Sequence, residues 1–291
     1  MQRQLRSHVE TLATEIGERN STHYAALEQA YLYIFSSMQQ TSFDISTIEY
    51  SHEHRTYQIA VAEKKGTDKP DEIIVVGAHY DTVEDCPGAD DNASGIAGLL
   101  ECMRIIDSYP NSRTIRFVAF PLEEPPFHNS PLMGSHVYAR KCHSEQQKLL
   151  CMIAFEMLGY YTEKRGTQRY PTSVMEQKLT NRGNFIAIVG NVDSKNIVSS
   201  ISQSFDEQQL LPVEPLVTYE YVPGSNLSDH APFWEHGYKA VMVTDTAFYR
   251  NPYYHLPEDT PSTLNFNIFA KVIISMAKAI QDLDLIDASA I

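Results

Sequence analysis

Residues 73–82 read IIVVGAHYDT, and this stretch decides the fold. Its first part, Ile73 to Ala78, is a short continuous apolar run with no polar alternation. Such a run is the mark of a central strand covered on both faces. Helices must supply that cover, so the chain around it should alternate strand with helix. The run ends in His79, with Asp81 two residues on.

The sequence on either side meets that expectation. Toward the N-terminus, Leu5, Val9, Leu12 and Ile16 form a helical stripe, and a second helix is expected over 23–38 after candidate caps at 20–22. Strands are expected over 43–50 and 57–62. Toward the C-terminus the periodicity predicts a helix over 94–106, a strand over 114–120, a helix over 133–140 and a strand over 149–155. The alternation continues with a strand at 185–189, a helix at 194–205, strands at 216–221 and 240–244 separated by a short helix at 229–236, and a long amphipathic helix over 263–282. This order implies an α/β three-layer sandwich: a mostly parallel, mixed central sheet with helices on both faces. No repeat, low-complexity linker or composition shift divides residues 1–291, so a single catalytic domain is expected.

Composition excludes several classes of function. Of 291 residues, 43% are hydrophobic and 21% charged, as in globular proteins. Lys and Arg number 23 against 37 Asp and Glu, a formal charge of −14. That surface repels nucleic acid and anionic membrane, neither of which is expected as a partner. Cys86, Cys102, Cys142 and Cys151 form no C-x-x-C pair and are too few for a disulfide scaffold, so free, partly buried thiols are expected. The first residues, MQRQLRSHVE, have no apolar signal core, and no run is long enough to span a membrane. Read literally, these features place the protein in the cytoplasm; a removed leader would leave the same pattern.

In open α/β sheets, ligands bind beyond the carboxyl ends of the strands. Histidines and carboxylates collect there from five segments. IIVVGA ends in His79; the next loop carries Asp90 and Asp91 in GADDNASG; TIRFVAF runs into Glu123–Glu124; the following strand runs into Glu156; and YYHLPEDT follows the strand AVMVT and carries His255. Imidazole nitrogen and carboxylate oxygen are zinc ligands. A carboxylate can bridge two ions, and an adjacent carboxylate that binds neither can serve as a base.

The segments GAHYDT, GADDNASG, FPLEEPP, FEMLGY and YHLPEDT, in this order, resemble the co-catalytic zinc aminopeptidase family, which includes bacterial leucyl aminopeptidases, glutamate carboxypeptidases and, further off, glutaminyl cyclases. Each motif alone is weak, but five in family order across residues 73–260 are specific. The resemblance implies two Zn2+ per chain and a peptide or aminoacyl-amide substrate attacked by a metal-activated water. His79 and Glu156 would complete one site, Glu124 and His255 the other, with Asp91 bridging both. Glu123 would be the general base, Asp81 would orient His79, and Tyr254 would steady the oxyanion. The family also implies a cis Asp91–Asn92 peptide bond. Asp90 is expected as a helix cap, and His230, in SDHAPFW, as a residue that supports the site. His128, His136 and His236 are read as surface or packing residues. The aromatic stretch around Tyr253 is expected to wall a substrate pocket.

Two departures stand out. Some members place the oxyanion tyrosine just ahead of the SDH motif, where this chain has PGSNL. The first-site carboxylate is usually aspartate, and here it is Glu156; the extra methylene shifts it by about a bond length, toward the place of a substrate amine. The alternatives are therefore a carboxypeptidase, dipeptidase or amidohydrolase of the same superfamily, a one-zinc glutaminyl-cyclase-like acyltransferase, and a non-catalytic binding domain of that fold.

Overall fold

A computed structural model describes residues 1–287. Its eight strands are β1 (Asp44–His52), β2 (Arg55–Lys64), β3 (Lys69–His79), β4 (Arg113–Phe120), β5 (Lys148–Glu156), β6 (Ile186–Gly190), β7 (Val213–Val217) and β8 (Ala240–Thr244). The helices are α1 (Gln2–Glu10), α2 (Tyr24–Met38), α3 (Gly95–Ile106), α4 (Gly134–Ser144), α5 (Ser173–Lys178), α6 (Lys195–Gln208), α7 (Ala231–Glu235) and α8 (Phe266–Leu285). The expected α/β sandwich with a mixed sheet is what the chain forms.

One sheet joins all eight strands in the order β1-β2-β4-β3-β5-β8-β6-β7. The apolar run of β3 lies inside it, parallel to β4 on one side and β5 on the other, and β5 is parallel to β8. β6 runs antiparallel to β8, and β7 parallel to β6. β1 and β2 form an antiparallel hairpin that pairs with β4. Four strands that matter for function, β3, β4, β5 and β8, thus end at the same sheet edge.

The sheet is packed on both faces. Ile74, Val76, Ile115, Phe117, Ile153 and Phe155 point toward α3 and α8 in the larger core. Val75, Val118, Phe120 and Met152 join Tyr138 of α4 and Phe233 of α7 on the other face. Each such side chain contributes about 1.5–3 kcal/mol through burial. In α8 the apolar face repeats at Phe266, Phe269, Ile273, Met276 and Ile280, and the Asn265 side chain caps the first turn by accepting from the Ile268 N–H at 3.2 Å. The expected helix over 5–16 forms as α1 continued by a wider turn at Thr11–Ile16, which Gly17 ends at φ 81°.

One expected element is displaced. The strand predicted over 216–221 lies at Val213–Val217. Tyr219 and Tyr221, which favour strands, instead stack on each other at the surface, 5.3 Å apart. Pro215 sits within the strand, which is tolerated because β7 is an edge. The short helix α5 had no sequence signal strong enough to predict it. All four cysteines are buried and unpaired. Among the described residues no helix is long and apolar enough to cross a membrane.

Candidate metal centre

The sheet edge is where the polar residues meet. His79 is the last residue of β3 and Glu156 the last of β5, while Glu123 and Glu124 follow β4 by a short turn. Asp91 lies in the irregular turn before α3, and His255 in the loop after β8. Leu122, Met157 and His255 all have positive φ, between 50° and 61°. Non-glycine residues in that region carry about 1–3 kcal/mol of strain each, and here all three belong to the turns that aim the carboxylates and the imidazole.

The turn that presents Asp91 is held from several sides. Gly88 has φ 59°, and a Cβ there would meet the Asp91 carbonyl at 2.2 Å, so only glycine fits. The Asp259 carboxylate accepts the backbone N–H groups of Asp90, at 2.9 Å, and Asp91, at 3.1 Å. The Asp91–Asn92 peptide bond is cis, as the motif implied. Asn92 ties the turn to the end of β5, donating to the Phe155 carbonyl at 2.9 Å and accepting from the Met157 N–H at 3.1 Å. The fully buried Arg19 guanidinium donates to the carbonyls of Tyr80, Pro87 and Gly88 and fixes the loop between His79 and Asp91.

Two ligand groups result, and they share Asp91. In one, His79 Nε2 lies 3.4 Å from Asp91 Oδ1 and 3.3 Å from Glu156 Oε2. In the other, His255 Nε2 lies 3.2 Å from Asp91 Oδ2 and 3.4 Å from Glu124 Oε1. Within each group one donor atom per residue lies within 4.8 Å of the others. His79 Nε2, His255 Nε2 and Glu124 Oε1 are buried yet have no hydrogen-bond partner among the described residues. Buried polar atoms left in this way are costly unless something else satisfies them. Nitrogen and oxygen donors in threes, with a carboxylate spanning both sets, fit a pair of zinc ions.

The electrostatics agree with that fit. Burial alone would lower the His79 pKa, but Glu156, Glu123, Asp81 and Asp91 outweigh it and raise it well above the usual range. Burial likewise opposes His255, whose contacts with Asp91 and Glu124 raise it to about 10. Asp91 is held well below the carboxylate range: burial pushes up, and His255 and His79 outweigh it. Burial and Asp91 raise Glu124 to about 7, although His255 opposes them. The pocket draws positive charge, and protons take that place when no cation does.

Glu123 stands beside the two groups, its Oε2 3.9 Å from His79 Nε2. Burial raises its pKa well above the usual range, and Glu124 and Glu156 add to this while His79 opposes it. Asp81 organises both motifs. Its carboxylate lies 3.5 Å from His79 Nδ1 and accepts the N–H groups of Glu123, at 3.1 Å, and Glu124, at 3.0 Å. The Tyr254 ring stacks on the His255 imidazole with centroids 3.8 Å apart and faces the carboxylates, which together with burial raise its pKa. The structure therefore brings His79, Asp81, Asp91, Glu123, Glu124, Glu156, Tyr254 and His255 to one place.

Other residues contribute in ways the sequence did not indicate. Ser228 Oγ donates to Glu156 Oε2 at 2.7 Å. His128, read as a surface or packing residue, puts Nδ1 3.0 Å from the Glu123 carbonyl and 3.1 Å from Glu123 Oε1. Asp90 does not cap a helix: its carboxylate accepts from the Gly159 N–H and Asn251 Nδ2, each at 2.8 Å. Asp229 is buried, with neither oxygen hydrogen-bonded among the described residues, and burial raises it to about 7 against the pull of His79. An apolar cavity opens beside Glu156 and Tyr254, floored by Ala187, Val189 and Met242.

Comparison with known proteins gives the family of the chain. The model of Peptidase family M28 matches residues 60–280. The chain is 36% identical over 278 residues to Uncharacterized protein YfbL of Escherichia coli (strain K12), covering 93% of this chain and 84% of that one. It is 29% identical over 206 residues to Aminopeptidase YwaD of Bacillus subtilis (strain 168), covering 69% of this chain but only 39% of that protein's length. The structure of BSAP, a zinc aminopeptidase from Bacillus subtilis, superposes with a TM-score of 0.77 at 16% identity, covering 100% of this chain and 97% of that one. Fimbriiglobus ruber glutaminyl cyclase superposes with a TM-score of 0.75 at 17% identity, covering 97% and 95%. At such identities the likeness is one of fold.

Proposed function

Because this chain belongs to peptidase family M28 and is a zinc metallopeptidase, we propose that it is an aminopeptidase, a single catalytic unit that removes N-terminal residues from peptides with two zinc ions. The observation that carries this reading is the sharing of Asp91 between two ligand triads, with Glu123 left outside both. His79, Asp91 and Glu156 would hold one ion, and Asp91, Glu124 and His255 the other. Zinc bound there supplies Lewis acidity, polarising the scissile carbonyl and making water a stronger acid.

The chain's own groups do the rest. Glu123, with its pKa raised, takes a proton from the attacking water and returns it to the departing amine. His128 Nδ1 lies 3.0 Å from the Glu123 backbone carbonyl and 3.1 Å from its Oε1, and so steadies this residue. The Tyr254 hydroxyl donates to the oxygen on which charge develops. The direction of peptide reading follows from charge. A carboxypeptidase needs a cation for the terminal carboxylate, yet the only one in the cavity lining among the described residues is Arg169, which is 73% exposed and lies 3.9 Å from Glu176. A terminal carboxylate thus meets no buried counter-charge there, which favours reading the peptide from its amino end. The unpaired cysteines support a reducing compartment such as the cytoplasm.

The test is a screen of aminoacyl and blocked peptidyl anilides with and without chelator, alongside zinc per chain by elemental analysis. Chelator-sensitive cleavage of free-amine substrates with two zincs per chain is expected. Cleavage of only N-blocked substrates rejects the aminopeptidase reading, and one zinc per chain with cyclisation of N-terminal glutamine supports a glutaminyl-cyclase-like activity.

A further inference from the structure

Strand register aligns the cavity with the metal centre. Glu156 of β5 pairs with Thr244 of β8, Thr244 with Ala187 of β6, and Ala187 with Glu214 of β7. Residues directly opposite in a ladder point to the same face. Thr244, Ala187 and Glu214 accordingly all line the cavity whose near end is Glu156. Three strand spacings of about 4.8 Å put Glu214 about 14 Å from Glu156, backbone to backbone. The cavity measures about 110 Å³, somewhat below the ~150 Å³ of an engineered cavity that holds benzene. It suits one side chain rather than a stretch of peptide.

Its chemistry is graded along that row. The floor is apolar at Ala187, Val189, Met242 and Leu216, and the far end carries the half-buried Glu214 carboxylate. No hydrogen bond or ion pair joins Glu214 to another side chain among the described residues, and burial raises its pKa. The nearby Tyr170 hydroxyl is committed to the Thr180 carbonyl. Arg169 lies at the exposed mouth with Glu176, and Arg250 is buried behind Phe185, bonded to Gln168 and the Phe185 carbonyl. Charge on an edge strand often serves only to prevent sheet-to-sheet pairing. Pro215 already interrupts this edge, and Glu214 faces the cavity.

We propose that this cavity is the subsite for the N-terminal side chain of the substrate and selects a basic one, lysine or arginine, with Glu214 as its counter-charge; this rests on the aminopeptidase reading above. An extended lysine reaches about 6 Å from Cα through bonds of about 1.5 Å, so its ammonium and the Glu214 carboxylate approach each other along the row. The methylenes lie on Ala187 and Val189, as long cationic side chains do on apolar surface. Arginine, one bond longer, meets the carboxylate in two-pronged fashion.

The test compares lysyl, arginyl and norleucyl anilides on the zinc-loaded full chain; norleucine has the lysine stem without the ammonium. The lysyl and arginyl substrates should give the higher kcat/KM. Glu214→Gln, which keeps shape and removes charge, should cut the lysyl-to-norleucyl ratio by about 10–100-fold, the range for a lost hydrogen bond to a charged group, with norleucyl turnover nearly unchanged. Norleucyl turnover equal to lysyl, or a ratio unaltered in Glu214→Gln, overturns the subsite while leaving the aminopeptidase intact. Calorimetric binding of lysinamide against norleucinamide separates the other failure. If no anilide is cleaved, the aminopeptidase reading falls; the cavity then stands only as a binding site for a basic side chain, with Glu214 as its counter-charge, if lysinamide binds more tightly and Glu214→Gln abolishes the difference, and that too falls if the two bind equally.

Discussion

Ser228 Oγ donates a hydrogen bond to Glu156 Oε2 at 2.7 Å, and both side chains are buried. Glutamate has one more rotatable bond than the aspartate usual at this position, so its carboxylate needs an external restraint to stay on target. Ser228, 72 residues further along the chain, supplies it. Ser228→Ala should weaken zinc binding at the His79–Asp91–Glu156 group by about 10–100-fold, as the loss of outer supports to metal ligands does. Chelator competition with the purified protein measures this. Unchanged affinity would show that Glu156 is positioned by its own turn.

Glu123 and Glu124 are neighbours with separate assignments, so their variants should differ in kind. Glu123→Gln should retain zinc and lose about 10²–10⁴-fold in kcat, the span of general acid–base catalysis. His128→Ala, which removes the group 3.1 Å from Glu123 Oε1, should lower kcat by about tenfold with KM and zinc content preserved. Steady-state kinetics with elemental analysis checks both. Zinc loss in Glu123→Gln would instead make Glu123 a ligand.

The candidate ligands were legible in part because His79 and Glu156 end recognisable strands and Glu124 closely follows one, whereas Asp91 and His255 lie in loops and were assigned through the motif resemblance. The strong period-one apolar run before His79 and the runs before Glu123 and Glu156 fix positions in a parallel sheet, and parallel strands deliver their ends to one edge. Ser228, His128 and Asp259 were not legible. They sit in irregular loops with no periodicity; Ser228 and Asp259 act across 72 and 168 residues, on Glu156 and the Asp91 N–H, and His128, five residues from Glu123, meets it through a turn that no periodic pattern marks. Asp90 was misread because an aspartate before a helix is normally a cap, whereas here the turn is irregular and its carboxylate faces the Gly159 N–H. β7 was displaced because tyrosines at 219 and 221 carry strand propensity, which a surface loop overrides.

Arg19 should matter to the fold more than any surface charge. Its guanidinium is fully buried and donates to five carbonyls, those of Leu12, Gly17, Tyr80, Pro87 and Gly88. Burial lowers its pKa to about 10, still well above neutral, so it remains a cation. Arg19→Met leaves these acceptors without a donor and should destabilise the protein by about 3–5 kcal/mol. Arg19→Lys should restore little, because an ammonium has three donors and no planar fork. Urea unfolding of the two variants tests this; a loss under about 1 kcal/mol would mean that water replaces the guanidinium.

His230 makes acid stability predictable with a definite sign. It is completely buried, its Nε2 lies 2.8 Å from the Ser225 carbonyl, and its ring meets Trp234 edge-on. Burial lowers its pKa to about 4 from 6.5, with the Ser225 carbonyl opposing. The unfolded chain therefore binds a proton between pH 6.5 and 4 that the folded chain refuses. Stability from this group is complete above pH 6.5 and falls as pH drops through that window, by about 3 kcal/mol at 1.36 kcal/mol per pH unit. Working with chelated protein removes the parallel effect of zinc loss. His230→Gln, which keeps a donor for Ser225 and cannot titrate, should start less stable at pH 7 but show a flatter decline in unfolding free energy between pH 6.5 and 4. A slope equal to that of the unsubstituted protein would place its acid sensitivity in the buried carboxylates instead.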